Sequence, residues 1–339
     1  MKRIFLSIIL VATTIVSCTK ENDNPQTDTP ATEHHPNDKV KDNGNGTTGV
    51  TLGNVGFTTK QRDFSNETVV TDPKTVSANK EDEYPLSTGI NQFKIDEDYI
   101  VASESKKILL YDMNNKVAVD EHTTDFEISG FDYNGAIITS EAGSSVNFYK
   151  VNINNGKIEK HFFHIEKFDG SMFNNSCYLD HDKVYIFDQG GDIKSFPLSN
   201  VKDIKKETTV PSFTVINFSS DEKNIYMSIQ GLSKPDPTDP NKPYLNYSEL
   251  KILDKGKGTT RDELTSALDI MYTGITVDAN YIYLSVKDSN KILVYNKHNL
   301  NPSGSITVSG PTSIEKIGTD LYVYSTTSNS VIKFEVSFK

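Results

Sequence analysis

One pattern recurs six times along this 339-residue chain: a short apolar run, a polar break, and a second apolar run. The first runs are YIVAS (Tyr99–Ser103), AIITS (Ala136–Ser140), VYIFD (Val184–Asp188), NIYMS (Asn224–Ser228), YIYLS (Tyr281–Ser285) and LYVYS (Leu321–Ser325). The second runs are KILLYD (107–112), VNFYKV (146–151), DIKSF (192–196), ELKIL (249–253), KILVYN (291–296) and VIKFEV (331–336). The first runs end at residues 103, 140, 188, 228, 285 and 325, so successive copies lie 37, 48, 40, 57 and 40 residues apart. A further strand and tight turn precede each copy, as in FKIDED before Tyr99 and ITVDAN before Tyr281, and runs such as VAVDEH and SITVSG read as outer fourth strands. Each small sheet alone would leave a face in water, and radial stacking of such sheets covers it. The expected fold is therefore all-β: a β-propeller of six blades, each a four-stranded antiparallel sheet, over residues 50–339. Seven blades is the alternative count. The last copy ends at Lys339 without a fourth strand, and residues 50–90 either supply that strand and close a six-bladed ring or build a seventh blade. A β-sandwich would not repeat one strand–turn–strand unit six times, and β-helix repeats are much shorter.

Composition fits such a core. Hydrophobic residues make up 35% of the chain, with 16 Tyr, 17 Phe and no Trp, and Tyr, Phe and β-branched residues favour strands. The formal charge of -11 argues against nucleic acid, whose binding needs a Lys/Arg-rich face to displace counterions. The absence of Trp weakens a carbohydrate site and removes the Ser-x-Asp-x-Gly-x-Thr-Trp boxes of sialidase-type propellers.

The first residues read as a targeting segment. Lys2 and Arg3 precede a 13-residue apolar stretch, Ile4 to Val16, which is short for a membrane span and suited to a signal-peptide core. It ends in Ile15-Val16-Ser17-Cys18, which resembles the lipobox of bacterial lipoproteins. The resemblance implies removal of residues 1–17, acylation (palmitate among the chains) of Cys18, and anchoring to the outer membrane through that lipid. The remaining chain would carry 33 basic and 46 acidic residues, a net charge of -13. From Thr19 to Gly49 only Ala31 and Val40 are apolar, so residues 18–49 are expected to be a disordered tether, reaching about 30 Å as a flexible coil. Glu21, Asn22 and Asp23 behind the Cys resemble the surface-export signals of Bacteroidota lipoproteins. The His34-His35 pair reads as incidental to a flexible tether.

Residue types that suggest chemistry resolve mostly into turns. Asp96-Glu97-Asp98, Asp180-His181-Asp182, Asp221-Glu222 and Asp278 recur between first and second strands, where Asp hydrogen-bonds its own backbone and tolerates positive φ. Gln189-Gly190-Gly191-Asp192 reads as a hairpin turn, since a phosphate loop needs a following helix. Cys177, the one thiol besides Cys18, sits in a strand-like pattern and reads as a buried inert group. No Ser/His/Asp signature, HExxH or CxxC is present, so the chain is expected not to be an enzyme and to need no cofactor or metal.

Two copies are stretched. One insertion, HFFHIEKFDGSMFNNS, spans 161–176, and a proline-spaced one, GLSKPDPTDPNKPYLNY, spans 231–247. Thr260-Arg261-Asp262-Glu263 is a capping-box pattern that predicts a short helix running to Ile270. Loops between second and third strands, and those joining blades, emerge on one propeller face around the channel, where binding residues concentrate. Phe173, Asn174, Asn175, Tyr244, Tyr247, Met271 and Tyr272 are the ligand-binding candidates on that ground.

The stretch YIYLSVKDSNKILVYN (281–296), and more loosely residues 90–339, resembles the YVTN (YncE-like) propeller repeat, with the Thr-Asn of that repeat replaced by a lone Ser. With the lipobox and acidic tether, the chain is similar to surface lipoproteins of Bacteroidota. Some of those are propellers that sit over TonB-dependent outer-membrane transporters and capture vitamin B12 or ferric siderophores. The resemblance implies a small-nutrient binder that partners such a transporter, and it transfers no ligand-contact residues. A corrinoid, with many neutral amides, suits an acidic Asn/Tyr-rich face. An anionic siderophore would be repelled on average, and haem would want a ligand such as His161 or His164. A protein–protein scaffold and a metal-dependent hydrolase or lactonase are the alternative readings.

Overall fold

The computed structural model describes residues 41–42, 47–52, 55–60, 74–124, 127–141, 145–152, 155–159, 176–187, 191–200, 203–210, 213–234, 245–266 and 270–339. Cys18, the signal segment and most of the expected tether lie outside them, as do Phe173, Asn174, Asn175 and Tyr244. Among the described residues no helix is long and apolar enough to cross a membrane.

The hairpin at 281–296 shows how the sequence builds a blade. Tyr281–Val286 pairs with Lys291–Asn296, and Tyr272–Val277 and Pro302–Thr307 complete a four-stranded antiparallel sheet in chain order. Every residue of Tyr281–Val286 is buried. Tyr281 and Tyr283 pack toward the following blade with Val323 and Ile332, while Ile282, Leu284 and Val286 pack toward the preceding one with Tyr226 and Ile252. A strand buried on both faces reads as a continuous apolar run, which is why YIYLSV shows no alternation. Each such Leu or Ile contributes about 1.5–3 kcal/mol on burial.

Five other sheets share this plan. Taking the sheets in chain order as blades 1 to 6, the innermost strands are Ile90–Asp96, Ile128–Tyr133, Ser176–Asp180, Phe213–Ser220, Tyr272–Val277 and Pro311–Ile317. Each lies against the innermost strand of the next blade, and the sixth against the first, so the ring closes. Apolar clusters fill the seams between blades.

Six blades is the observed number. The outermost strand of blade 6 is Val76–Pro85, which pairs with Ser330–Phe338 from the C-terminus. The ladder is extended by Thr75 N donating to Lys339 O at 2.9 Å and Lys339 N to Thr75 O at 3.1 Å. The expected span of the propeller is 50–339. Strands Lys41–Asp42, Thr47–Leu52 and Val55–Lys60 form a three-stranded sheet of their own, and the ring begins at Val76.

The predicted helix after Thr260 is also corrected. Thr259–Thr265 is the outermost strand of blade 4, paired along Glu249–Asp254. A capping box is a local preference worth about 1 kcal/mol, and a vacant ladder beside an eleven-residue strand, Asn224–Lys234, and its partner Leu245–Asp254 outweighs it. The acidic turns behave as expected. Asp278 Oδ1 accepts from the backbone N–H groups of Asn280 and Tyr281 at 2.8 and 2.7 Å, and Asp221 Oδ1 from those of Lys223 and Asn224 at 2.9 and 2.8 Å. Glu97 and His181 hold φ of 52° and 53° in the corresponding turns.

Candidate functional site

Innermost strands all run the same way through the ring, so the channel has two ends. One is the mouth, where blades are joined and second strands finish. The other is the turn end, where first strands fold back into second strands.

Small residues let the blades close up around the mouth. The second strands carry Ser103, Ser140, Ser228, Ser285 and Ser325 toward the mouth, all fully or nearly fully buried. Ser285 Oγ donates across the seam to Thr312 O of the next blade. Opposite Ser285 stands Gly274, where a Cβ would run into Thr312 O and Ser285 Oγ. Within this collar lies a cavity of about 510 Å³ whose walls include Asn91, Ser129, Ser176, Thr273, Thr312 and Thr326, with Lys287 among them.

The cavity has a floor. Gln92 Nε2 donates to Asn217 Oδ1 at 2.8 Å, linking blades 1 and 4, which stand opposite each other in a ring of six. Asn217 Nδ2 in turn donates to Thr273 O at 2.8 Å, which fixes which amide atom faces Gln92. Two residues further along the same strand, Lys94 Nζ lies 3.4 Å from Asp132 Oδ1 of blade 2 and 3.1 Å from Glu315 Oε2 of blade 6. These three side chains are 14%, 3% and 4% exposed, and Asp132 Oδ2 also accepts from Leu179 N at 2.7 Å. The channel is thus crossed by an amide bridge, and an ion-pair layer beneath it joins the neighbouring blades 6, 1 and 2.

The turn end is charged and internally paired. Lys255 Nζ, just past the third strand of blade 4, lies 2.6 Å from Asp180 Oδ2 of blade 3. Lys297 Nζ, in the same place on blade 5, lies 3.1 Å from Asp221 Oδ2 of blade 4. Each lysine also donates to a turn carbonyl of its own blade, Asp221 O at 2.6 Å and Asp278 O at 2.7 Å. Burial alone would raise the Asp221 carboxyl, but the Tyr226 hydroxyl, the Lys297 ammonium and the two turn amides outweigh it and hold the group below its ordinary value. A concavity of about 220 Å³ opens here beside Asp132, Asp180, Asp221 and Lys255. Among the described residues no three His, Cys, Asp or Glu side chains come together as metal ligands would.

Of the expected ligand residues within the described part, Tyr247 and Tyr272 are buried, at 5% and 3% exposure. Tyr272 belongs to the seam between blades 4 and 5, and burial pushes its phenol far up. Met271 Sδ accepts from Ser248 Oγ at 3.7 Å. None of the three is among the residues lining the mouth, although Tyr272 directly precedes Thr273, which is. Asn175 likewise directly precedes Ser176. Cys177 is buried beneath the mouth, with its thiol pushed far up by burial. The mouth residues Gln92, Asn217 and Thr273 went unnoticed in the sequence. A usable signal was there: each innermost strand carries a small or amide residue two places before its channel-facing Lys94-type position.

No protein-family model matches the chain, and no curated protein matches it. Among solved structures the chain is similar to the β-propeller domain of Myceliophteria thermophila Cps50 (Swd1), at 8% identity over 77% of this chain and 100% of that one, with a TM-score of 0.49. It is also similar to the computationally designed Ika8 protein, at 9% identity over 74% of this chain and 97% of that one, with a TM-score of 0.46. The six-bladed propeller is fixed by the strand pairing of the chain itself.

Proposed function

We propose that the protein is a non-catalytic, lipid-anchored binding protein that captures a small nutrient in the channel mouth and presents it to a TonB-dependent outer-membrane transporter. The observation that carries this reading is the floored cavity. At about 510 Å³ it falls in the size range of small-molecule sites, roughly 300–1,000 Å³. The Gln92–Asn217 bridge makes it a cup rather than a pore, so a ligand seated there would return by the way it came. The lipobox-like Cys18 and the acidic tether support attachment at the outer-membrane surface, and the resemblance to Bacteroidota surface propellers supports a corrinoid or an iron chelate as cargo.

Thermal unfolding of the full chain against corrinoids, ferric siderophores, haem, sugars and divalent metals tests this. A ligand that binds only the folded state raises its stability by about 2.7 kcal/mol at a hundredfold excess over Kd. A shift with one corrinoid or iron chelate supports capture. A shift with a metal alone would favour the hydrolase reading. No shift with any of them would favour a protein partner, to be sought by pull-down from outer membranes.

A further inference from the structure

Two blades with the same register serve one kind of acceptor differently. In blade 5, Gly274 stands opposite Ser285, and Ser285 Oγ donates to Thr312 O of blade 6. In blade 4 the corresponding pair is Asn217 opposite Ser228, and the corresponding acceptor is Thr273 O of blade 5. Here the longer amide takes the acceptor, Asn217 Nδ2 donating to Thr273 O at 2.8 Å, and the serine is left over. Ser228 Oγ is fully buried and has no hydrogen-bond partner among the described residues. Its other counterparts each have one. Ser103 Oγ reaches Gln92 O at 3.5 Å, Ser140 Oγ lies 3.2 Å from Ser129 Oγ, and Ser325 Oγ donates to Ser309 O at 2.6 Å. A buried hydroxyl without a partner destabilises the arrangement that strands it.

The floor also divides two spaces. Gln92 and Asn217 line the mouth cavity of about 510 Å³ on one side and a chamber of about 20 Å³ on the other. The chamber has room for about one water, and Lys94, Asp132 and Ser313 are among its walls. Phe93 N, next along the strand from Gln92, donates there to Ser313 Oγ of blade 6 at 3.2 Å.

We propose that the floor is a latch: Asn217 and Ser228 are alternative donors to Thr273 O, and exchange between them opens the mouth to the chamber beneath. In the closed arrangement Asn217 joins Thr273 O to Gln92, and Ser228 is stranded. When Asn217 turns up into the mouth, water satisfies its amide, and Ser228 Oγ turns to Thr273 O as Ser285 Oγ does to Thr312 O. That carbonyl keeps a donor throughout, so opening exchanges one bond for another instead of losing it. The open floor deepens the cup to the Lys94 layer and gives water beneath an entering molecule a way to move. The inference goes beyond capture and does not depend on what the cup holds.

Two measurements on the full chain test the latch. The first is a double-mutant cycle in urea unfolding. With Ser228 present, Asn217→Ala hands Thr273 O to the serine; with Ser228→Ala as well, that carbonyl loses both donors. Asn217→Ala should therefore lower the folding equilibrium constant about tenfold more in the Ser228→Ala background than in the parent. If Asn217→Ala folds poorly, Asn217→Gly, which copies the blade 5 pair, makes the same test. Additive effects would mean that the serine never takes the amide's place, and the proposal would be overturned. The second is hydrogen exchange read amide by amide, which follows the population of local openings. The Phe93 amide, uncovered by an open floor, should exchange about tenfold or more faster than those of Ile282 and Leu284 inside the blade 5 ladder. Ser228→Ala should narrow that gap about three- to tenfold, and Asn217→Ala should widen it. A Phe93 amide that exchanges in step with Ile282 and Leu284 would show that the floor opens only when the ring unfolds, which also overturns the latch.

Discussion

The two ends of the channel are made from the same six strands and serve opposite ends. At the turn end, carboxylates and lysines find each other: Lys255 with Asp180, Lys297 with Asp221, and, inside the channel, Lys94 between Asp132 and Glu315. At the mouth, hydroxyls and amides satisfy the backbone and one another and still border open volume. A charge removed from water needs a partner, so the charged end is consumed in holding the blades together. Neutral hydroxyls and amides need no counter-charge, so the mouth can border open volume without an ion pair. The difference teaches that the acid-rich turns, the most conspicuous chemistry in the sequence, are ring fasteners, while the plain Ser/Thr collar is the better candidate for recognition.

Substitutions at the charged layers should show this division most strongly. Lys94→Met leaves two buried carboxylates facing each other without their shared cation, and it should cost about 3–5 kcal/mol in urea unfolding. Adding Asp132→Asn and Glu315→Gln should recover much of that, and a failure to recover any would mean that Lys94 acts through packing instead.

Lys297→Met should cost less, about 1.5–3 kcal/mol, because Asp221 keeps its bonds from Tyr226 and the turn amides. It should also change the acid limb. The Asp221 carboxyl is held below its ordinary value of 3.8, so its contribution is fully present above that pH and is lost as pH falls through the lower, folded value. Without Lys297 the depression shrinks, and stability measured from pH 6 down to about 2.5 should fall less steeply than in the parent. An unchanged slope would remove Asp221 from the fastening role.

At the mouth, Gly274→Ala tests close approach rather than charge. The added methyl meets Thr312 O and Ser285 Oγ, and overpacking of this kind costs about 1–3 kcal/mol. A neutral result would show that the seam between blades 5 and 6 is slacker at the mouth than the structure has it.

The architecture was legible because burial on both faces of a blade turns its central strands into unbroken apolar runs, as in YIYLSV and KILLYD, and turn chemistry marks the corners. Fourth strands were harder. TTRDELT carries a helix-start signature and few apolar residues, and it becomes a strand only because Glu249–Asp254 offers it a ladder. Closure through Val76–Pro85 was one of two options left open, since VSANKEDEYP has no apolar run to betray it. The mouth was hidden for a different reason. Gln92 and Asn217 are 125 residues apart, and nothing local to either one says that they meet across an axis. Lys94, Asp132 and Glu315 occupy one position of the repeat, so a column-by-column alignment of the six copies would have brought them together.

The closing ladder has a mechanical consequence. Pro85 leads into the start of blade 1 at the mouth, so Val76, at the other end of that strand, lies at the turn end, beside Phe338. A pull on the chain ahead of Thr75 therefore arrives on the side opposite the cup, at the terminal rung shared with Lys339. Force along the chain ahead of Thr75 would reach blade 6 before any other blade.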